Sequence, residues 1–182
     1  ATNAWLTVNQ PTVFYADCAM AGYGGKLYVY GGVNGGSGTN NWEIYNVAGD
    51  SWSTTAYIGS PPALHKHCAA APLAGAGAGV IYFGQGRQVS TTESADWWAY
   101  TISTNTFSAL TASAFAGGHG KVDAGDDGYL YQFGGATRLG NVPNSLLQRY
   151  DITGNSWSTL DTPVGGTSSE PWVRSQFGMA MD

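Results

Sequence analysis

Charged side chains are scarce in this sequence. Only 10% of the 182 residues are charged, and just seven of them are Lys or Arg, whereas roughly a quarter of the residues are charged in ordinary soluble domains. Seven cations within a net charge of −5 cannot build a surface that neutralises phosphates, so nucleic acid is not an expected partner. The same shortage disfavours anionic membrane surfaces.

Long apolar runs are also missing. No stretch approaches the roughly 20 apolar residues of a transmembrane helix, so membrane insertion is not expected. The two cysteines, Cys18 and Cys68, permit one disulfide but do not require it. Low charge together with many Ser, Thr and Asn residues is typical of secreted β-proteins, and we expect an extracellular or cell-surface location.

Three similar segments fill most of the chain. Each has a short aromatic and β-branched run that ends in glycine or glutamine-glycine, and then a tyrosine that precedes a second aromatic by seven positions. The tyrosine–aromatic pairs are Tyr45–Trp52, Tyr100–Phe107 and Tyr150–Trp157. Internal repetition on this scale predicts that one supersecondary unit is used three times.

The local patterns within each repeat indicate β-strands. The run that begins at Leu27 favours a buried strand, which ends at residues that can adopt positive φ. Residues 42–47 alternate between large apolar and polar side chains, as a strand with two different faces does. Residues 48–51 and 153–156 have the composition of tight hairpin turns. No segment shows a sustained helical pattern, so each repeat is predicted to contain four antiparallel strands.

The repeat period, the paired glycines and the Tyr–Trp pair together resemble the kelch repeat. The glycine pair is intact at 31–32 and 134–135 but is Gln85-Gly86 in the second repeat, and Phe107 stands where the others have Trp. The resemblance implies an all-β, kelch-type β-propeller with about three four-stranded blades plus flanking strands, an incomplete ring. The expected units are the outer strand of a preceding blade at 1–11, blades at 12–59, 60–112 and 113–165, and the start of the next blade at 166–182.

An incomplete ring needs neighbours. Closed propellers have about 4–8 blades, so three blades would leave two apolar faces in water. We therefore expect the remaining propeller blades to come from a longer chain or from neighbouring subunits. The expected function is a non-catalytic module for protein or carbohydrate binding or for extracellular architecture. The alternatives are a fragment of a secreted copper-radical oxidase of the galactose-oxidase type and an intracellular kelch adaptor.

Aromatic side chains near loops and strand ends are the candidate ligand contacts. Loops on a rigid scaffold carry binding residues, and aromatics beside Asn, Gln and Thr suit sugars or protein surfaces. The candidates are Trp42, Tyr57, Trp98 and Trp172. The alternative for each is packing between blades. No Ser-His-Asp or paired-carboxylate arrangement is readable, so no catalytic residue is assigned.

Metal binding and a disulfide are the other hypotheses. His65, His67 and His119 could ligate a metal near the propeller axis, but the kelch resemblance explains His67 and His119 as structural residues that begin innermost strands. The Asp- and Gly-rich segment 123–128 is either a Ca²⁺ loop or a polar hairpin turn, and the turn is favoured. No cofactor is expected, with Ca²⁺ and copper as alternatives. Cys18 and Cys68 fall at equivalent positions of adjacent innermost strands, where a disulfide and two free thiols are both possible.

Overall fold

The computed structural model describes residues 7–161 apart from 13–15, 35–36, 66–67, 71, 73, 89–92 and 138–145. Secondary structure in these residues consists of strands and turns. Within the described ranges, no helix is long and apolar enough to cross a bilayer. The predicted blade start at 166–182 and residues 1–6 of the predicted outer strand lie outside the described residues.

The first sheet consists of two hairpins. Its region contains β1 (Ala19–Tyr23), β2 (Lys26–Tyr30), a separate two-stranded ribbon of β3 (Val33–Asn34) and β4 (Ser37–Gly38), then β5 (Trp42–Asn46) and β6 (Ser51–Thr54). The sheet order is β1-β2-β5-β6, and all neighbours are antiparallel. Gly24 and Gly25, which join β1 to β2, both have positive φ, and glycine reaches this region without a Cβ clash.

The second and third sheets repeat this order. The second contains β7 (Leu64–His65), β8 (Cys68–Ala70), β9 (Val80–Gln88), β10 (Glu93–Thr101) and β11 (Thr106–Leu110), with β7 and β8 both pairing with β9. The third contains β12 (Lys121–Ala124), β13 (Tyr129–Phe133), β14 (Leu147–Asp151) and β15 (Ser156–Asp161). Strand β8 packs beside β1 on one side and beside β12 on the other, so the first strands of the three sheets are neighbours.

The predicted all-β fold is confirmed. Three antiparallel sheets with a common strand order are consistent with three blades. Their innermost strands are adjacent, as blades around one axis require, and the three sheets do not close a ring among the described residues.

Both faces of the middle sheet are buried against aromatic side chains. Because side chains alternate along a strand, β9 and β10 supply one face to each neighbouring sheet. The cluster between the first and second sheets includes Tyr28, Tyr30, Trp42, Ile81, Phe83, Tyr100 and Phe107. The cluster between the second and third sheets includes Tyr82, Trp97, Leu130 and Tyr150. Trp97 belongs to this second cluster, whereas Trp98 packs against the first, as adjacent residues on opposite faces must.

A glycine pair follows the second strand of the first and third sheets, and its first residue has a backbone conformation that Gln85 also adopts, within β9. Gly31 and Gly134 have φ of 69° and 67°, and Gln85 adopts a φ of 52° at the same position. A positive φ is unfavourable for a residue with a Cβ. Gln85 is fully buried, and its side-chain Nε2 donates to the carbonyl of Phe115 at 3.0 Å. This hydrogen bond helps to hold the strained residue in place.

The tyrosine that defines each repeat is hydrogen-bonded to the last residue of the following turn. The hydroxyl groups of Tyr45, Tyr100 and Tyr150 donate to Oδ1 of Asp50, Asn105 and Asn155, respectively. These three turn residues all have positive φ, between 43° and 56°, a region that Asn and Asp tolerate better than most residues. The tyrosine therefore fixes the outer hairpin turn of its own sheet.

The same turn residue also binds the segment that precedes its sheet, and we call this set of hydrogen bonds the turn clamp. At the first sheet, the amide of Asn9 donates to Asp50 Oδ1 at 2.8 Å, and Trp52 Nε1 donates to the carbonyl of Asn9 at 2.8 Å. At the third sheet, Thr111 takes the place of Asn9: its amide donates to Asn155 Oδ1 at 2.9 Å and its carbonyl accepts from Trp157 Nε1 at 2.9 Å. Residues 9–12 thus dock on the first sheet as residues 111–114 dock on the third.

The clamp of the second sheet is built differently because Phe107 has no indole N–H. Here the side chain of Asn105 donates to the carbonyl of Ala56. The backbone of Ile58 then exchanges two hydrogen bonds with residues 105 and 107, at 3.0 and 2.8 Å. Backbone pairing replaces the missing Trp contact, so the departure from the repeat pattern leaves the docking intact.

Alkaline pH is expected to destabilise the fold through its buried tyrosines. Burial, with Tyr82 and Asp151 nearby, raises the pKa of Tyr150 to about 12, from the ordinary tyrosine value of 10.0. The raised pKa means that the folded state favours the neutral phenol, so this contribution is complete below pH 10 and is lost between pH 10 and about pH 12. Thermal unfolding midpoints measured across this range should fall, and should fall less steeply in Tyr150→Phe. Tyrosinate absorbance that develops fully near pH 10 in folded protein would contradict this expectation.

Candidate functional site

The loop between β2 and β5 and the segment after β6 lie at the same edge of the first sheet, which we call the rim. Strand β2 ends, β5 begins and β6 ends at this rim, because neighbouring strands run in opposite directions. A cavity of about 360 Å³ lies there. It is lined by Thr12, by the loop residues Asn40 and Asn41, by Trp42 and Glu43 of β5, and by residues 54–57 at and after the end of β6.

Tyr57 is the candidate ligand contact that the structure places in this cavity with a partly exposed ring. The ring packs edge-on against Phe107, with centroids 4.7 Å apart, and its hydroxyl donates to the carbonyl of Asn40 at 3.1 Å. Burial raises the pKa of Tyr57, so its hydroxyl stays a neutral donor at physiological pH. The tyrosine therefore joins the segment after β6 to the β2–β5 loop across the cavity.

Trp42 also lines the cavity, but it is first of all a core residue. Only 3% of its surface is exposed. Its ring centroid lies 4.4 Å from that of Tyr100 and 5.1 Å from that of Phe107, both in the second sheet. Trp42 thus packs the first two sheets together, and a ligand in the cavity would meet the edge of a rigid aromatic cluster.

Glu43 is a residue of the cavity that sequence reasoning missed. It is 2% exposed and lies on the opposite face of β5 from Trp42. Its Oε1 accepts a hydrogen bond from the hydroxyl of Thr12, whereas its Oε2 is buried without a hydrogen-bond partner. The sequence did contain a signal for Glu43, since it is a carboxylate within a predicted strand. Acidic side chains are rarely buried unless they are paired, so such a residue is a candidate for a site.

Among the described residues, the remaining aromatic candidate, Trp98, does not line the cavity. Trp98 is partly buried against the cluster between the first and second sheets. Trp172 lies outside the described residues. The cavity therefore brings together two of the four predicted ligand contacts, and ligand binding by any of them stays a prediction.

The predicted metal ligands are only partly described. His67 and the side chain of His65 lie outside the described residues, while His119 is half-buried with a φ of 64°. In the part of the chain that can be described, no three His, Cys, Asp or Glu side chains are grouped as a metal site would need.

The Asp-rich segment 123–128 forms part of a hairpin turn. Asp127 accepts hydrogen bonds from the Tyr131 hydroxyl at 2.6 Å and from the Tyr129 amide at 3.2 Å. The tyrosine hydrogen bond lowers the pKa of this carboxyl group. These contacts use the carboxylate oxygens within the turn itself, which favours the turn over a calcium loop.

Cys18 is a free cysteine in this structure. It is half-buried, and burial raises the pKa of its thiol. Strands β1 and β8, which follow Cys18 and begin at Cys68, do pack beside each other, as the disulfide hypothesis required. The side chain of Cys68 lies outside the described residues, so a disulfide between the two cysteines stays a prediction.

The residues that line the cavity are of the types that bind ligands without reacting with them. Two asparagines, three threonines, two aromatic residues and the buried Glu43 line a space that suits one side chain or one sugar ring. The sheets hold these groups on strand ends and short loops, so the cavity is formed before any ligand arrives.

A family model described as the kelch motif matches residues 15–56. The matched residues contain the first sheet from β1 to β6. The other two sheets repeat its strand order and its tyrosine–aromatic pairing, which supports the kelch resemblance for all three repeats. The comparison with curated proteins finds no match to the chain.

Proposed function

We propose that this kelch-repeat chain is a non-catalytic propeller module that binds a partner protein through the cavity rim of its first sheet, outside the cell. Kelch repeats generally mediate protein interactions. The observation that carries the proposal is the cavity itself, where Tyr57, Asn40 and Asn41 present an aromatic ring and amides on a rigid rim.

Among the described residues, one face of the third sheet has no neighbouring sheet, which supports a second part of the proposal, that a further blade completes the packing. Tyr131 and Arg149 pair across β13 and β14 as Tyr28 and Ile44 pair across β2 and β5. Tyr28 is buried against the second sheet, whereas Tyr131 is partly exposed. The third sheet thus offers the position that its predecessors use for packing against a neighbour.

Replacing Tyr57 with alanine should weaken ligand binding without unfolding the chain. The side chain is only partly buried, and its loss removes both the ring and the link to Asn40 from the cavity. A displayed random-peptide library and a glycan array, both screened with the 182-residue chain, supply the probes. Peptide hits should lose at least about tenfold in affinity with Tyr57→Ala, which is about 1.4 kcal/mol.

Ile58→Ala is the matched control for this experiment. Ile58 follows Tyr57 directly and is 67% exposed, but it does not line the cavity. Its replacement should leave peptide affinity unchanged. Hits that bind Tyr57→Ala as tightly as the unmodified chain would overturn the proposed site, and hits confined to the glycan array would replace the protein partner with a carbohydrate.

A further inference from the structure

The carboxylate of Glu43 is not explained by the fold. The equivalent positions in the second and third sheets hold Trp98 and Gln148, both uncharged. Gln148 Oε1 accepts a hydrogen bond from the Ala114 amide, just as Glu43 Oε1 accepts one from the docked residue Thr12. An amide therefore suffices for docking the preceding segment. Because Gln148 Nε2 is also buried without a hydrogen-bond partner, the two positions differ in the negative charge that Glu43 adds.

The buried negative charge of Glu43 is expected to destabilise the folded chain. Glu43 is 2% exposed, and its Oε2 has no hydrogen-bond partner. A buried carboxylate loses its hydration, and only a cation or a full set of donors compensates for the loss. A buried polar group without a partner calls for an explanation, and for a carboxylate that lines a cavity a bound cation is one.

We infer that the cavity takes a cationic side chain, the guanidinium of arginine or the ammonium of lysine, from the partner protein. The inference rests on the proposed binding function and specifies its chemistry. Both groups donate N–H bonds to a carboxylate, and arginine can engage both oxygens and stack on an aromatic ring such as that of Tyr57. The hydroxyl of Thr12 contacts the carboxylate, and Asn40 and Asn41 line the same cavity.

The charge of the whole chain favours the same ligand. Twelve acidic residues against seven basic ones give a net charge of −5, which attracts basic partners over a distance. The cavity volume of about 360 Å³ admits one long side chain rather than a folded segment. The partner is therefore expected to insert a single basic residue, with its own backbone lying on the rim.

The test begins with the unmodified 182-residue chain. Nα-acetyl-arginine amide, Nα-acetyl-lysine amide and the uncharged Nα-acetyl-citrulline amide are titrated while the indole N–H signals are followed by NMR. The two cationic probes should shift cavity signals in a saturable way, and citrulline should bind at least about tenfold more weakly. The stronger of the two cationic probes identifies the basic residue. Equal binding of citrulline, or no saturable shift with either cationic probe, overturns the inference without requiring any variant to fold.

The variant Glu43→Gln gives the first repeat the same residue type that the third repeat has at the equivalent position, Gln148. It keeps an acceptor for Thr12, so its thermal midpoint should equal or exceed that of the unmodified chain, while the preference for arginine or lysine over citrulline disappears. Asp126→Asn is the matched control, because it removes the charge of an exposed turn residue away from the cavity and should leave the preference intact. A clear drop in the midpoint of Glu43→Gln would make the carboxylate structural and overturn the inference.

The peptide screen separates this inference from the proposed function. Library hits that need Tyr57 and also carry a basic residue, with weakened binding to Glu43→Gln, support both. Hits that need Tyr57 but bind Glu43→Gln equally well overturn the cationic ligand and leave the binding site standing. Hits that are indifferent to Tyr57 overturn the proposed function.

Discussion

Trp97→Ala should lower the free energy of unfolding by about 3–5 kcal/mol, the range found for large-to-small changes of buried aromatics. Trp97 is 1% exposed and packs between the second and third sheets, with its ring centroid 4.9 Å from that of Trp157. Its removal leaves a cavity in the cluster that joins two repeats. Urea denaturation of the whole chain measures the loss, and a change below about 1 kcal/mol would contradict a packed interface between these sheets.

The space that Trp97 occupies exists because its cross-strand partner is Gly84. A Cβ added at Gly84 would lie 2.4 Å from Cδ2 of Trp97, much closer than real contacts. Gly84→Ala should therefore destabilise the chain by about 1–3 kcal/mol by itself. It should cost less in a Trp97→Leu background, which resembles the Phe133–Leu147 pair of the third sheet. Strict additivity in this double-mutant cycle would show that the two residues are not coupled.

Asn155→Ala should lower the free energy of unfolding by about 2 kcal/mol, because it removes two hydrogen bonds worth about 1 kcal/mol each. Oδ1 of Asn155 accepts from the Tyr150 hydroxyl at 2.8 Å and from the Thr111 amide at 2.9 Å. Tyr150 is 1% exposed, so its hydroxyl loses its partner in a mostly dry site. The φ of 45° at this residue is a further cost for alanine. Thermal and urea unfolding measure the change.

Asn155→Asp is the control for the turn clamp. Asp50 performs the same role in the first sheet, where its Oδ1 accepts from both Tyr45 and Asn9. Aspartate should therefore keep most of the stability that alanine loses, and Asn155→Gly should restore only the part due to positive φ. Equal losses for Asp and Ala would mean that the clamp does not depend on this acceptor.

The repeat pattern predicted the strands because its signals are local. The seven-residue spacing of Tyr45 and Trp52 corresponds to two residues that face each other across β5 and β6, with ring centroids 5.0 Å apart. A hairpin connects them, so sequence distance determines spatial distance. The positive φ of Gln85 was not predictable in the same way, since the hydrogen bond from its side chain to Phe115 comes from a segment 30 residues away.

The candidate site was predictable only in its aromatic part. Tyr57 and Trp42 could be selected from the sequence because large rings near loops are visible in it. The role of Glu43 depends on Thr12, which reaches it from 31 residues earlier through the docking of residues 9–12. Nothing in the local pattern around Glu43 specifies which segment covers that face of the strand. Long-range docking, rather than strand formation, is thus what sequence reasoning could not supply.

The turn clamp also bears on the order in which the chain acquires structure as it leaves the ribosome. Strand pairs within a sheet are close in sequence and form early, whereas the clamps join residues 41, 49 and 44 positions apart. Each newly made sheet can therefore assemble at once, but one of its aromatic faces stays uncovered until the next repeat emerges. As synthesis proceeds, the uncovered face therefore belongs to the most recently made sheet. Each completed sheet then binds the segment that precedes it through its turn clamp.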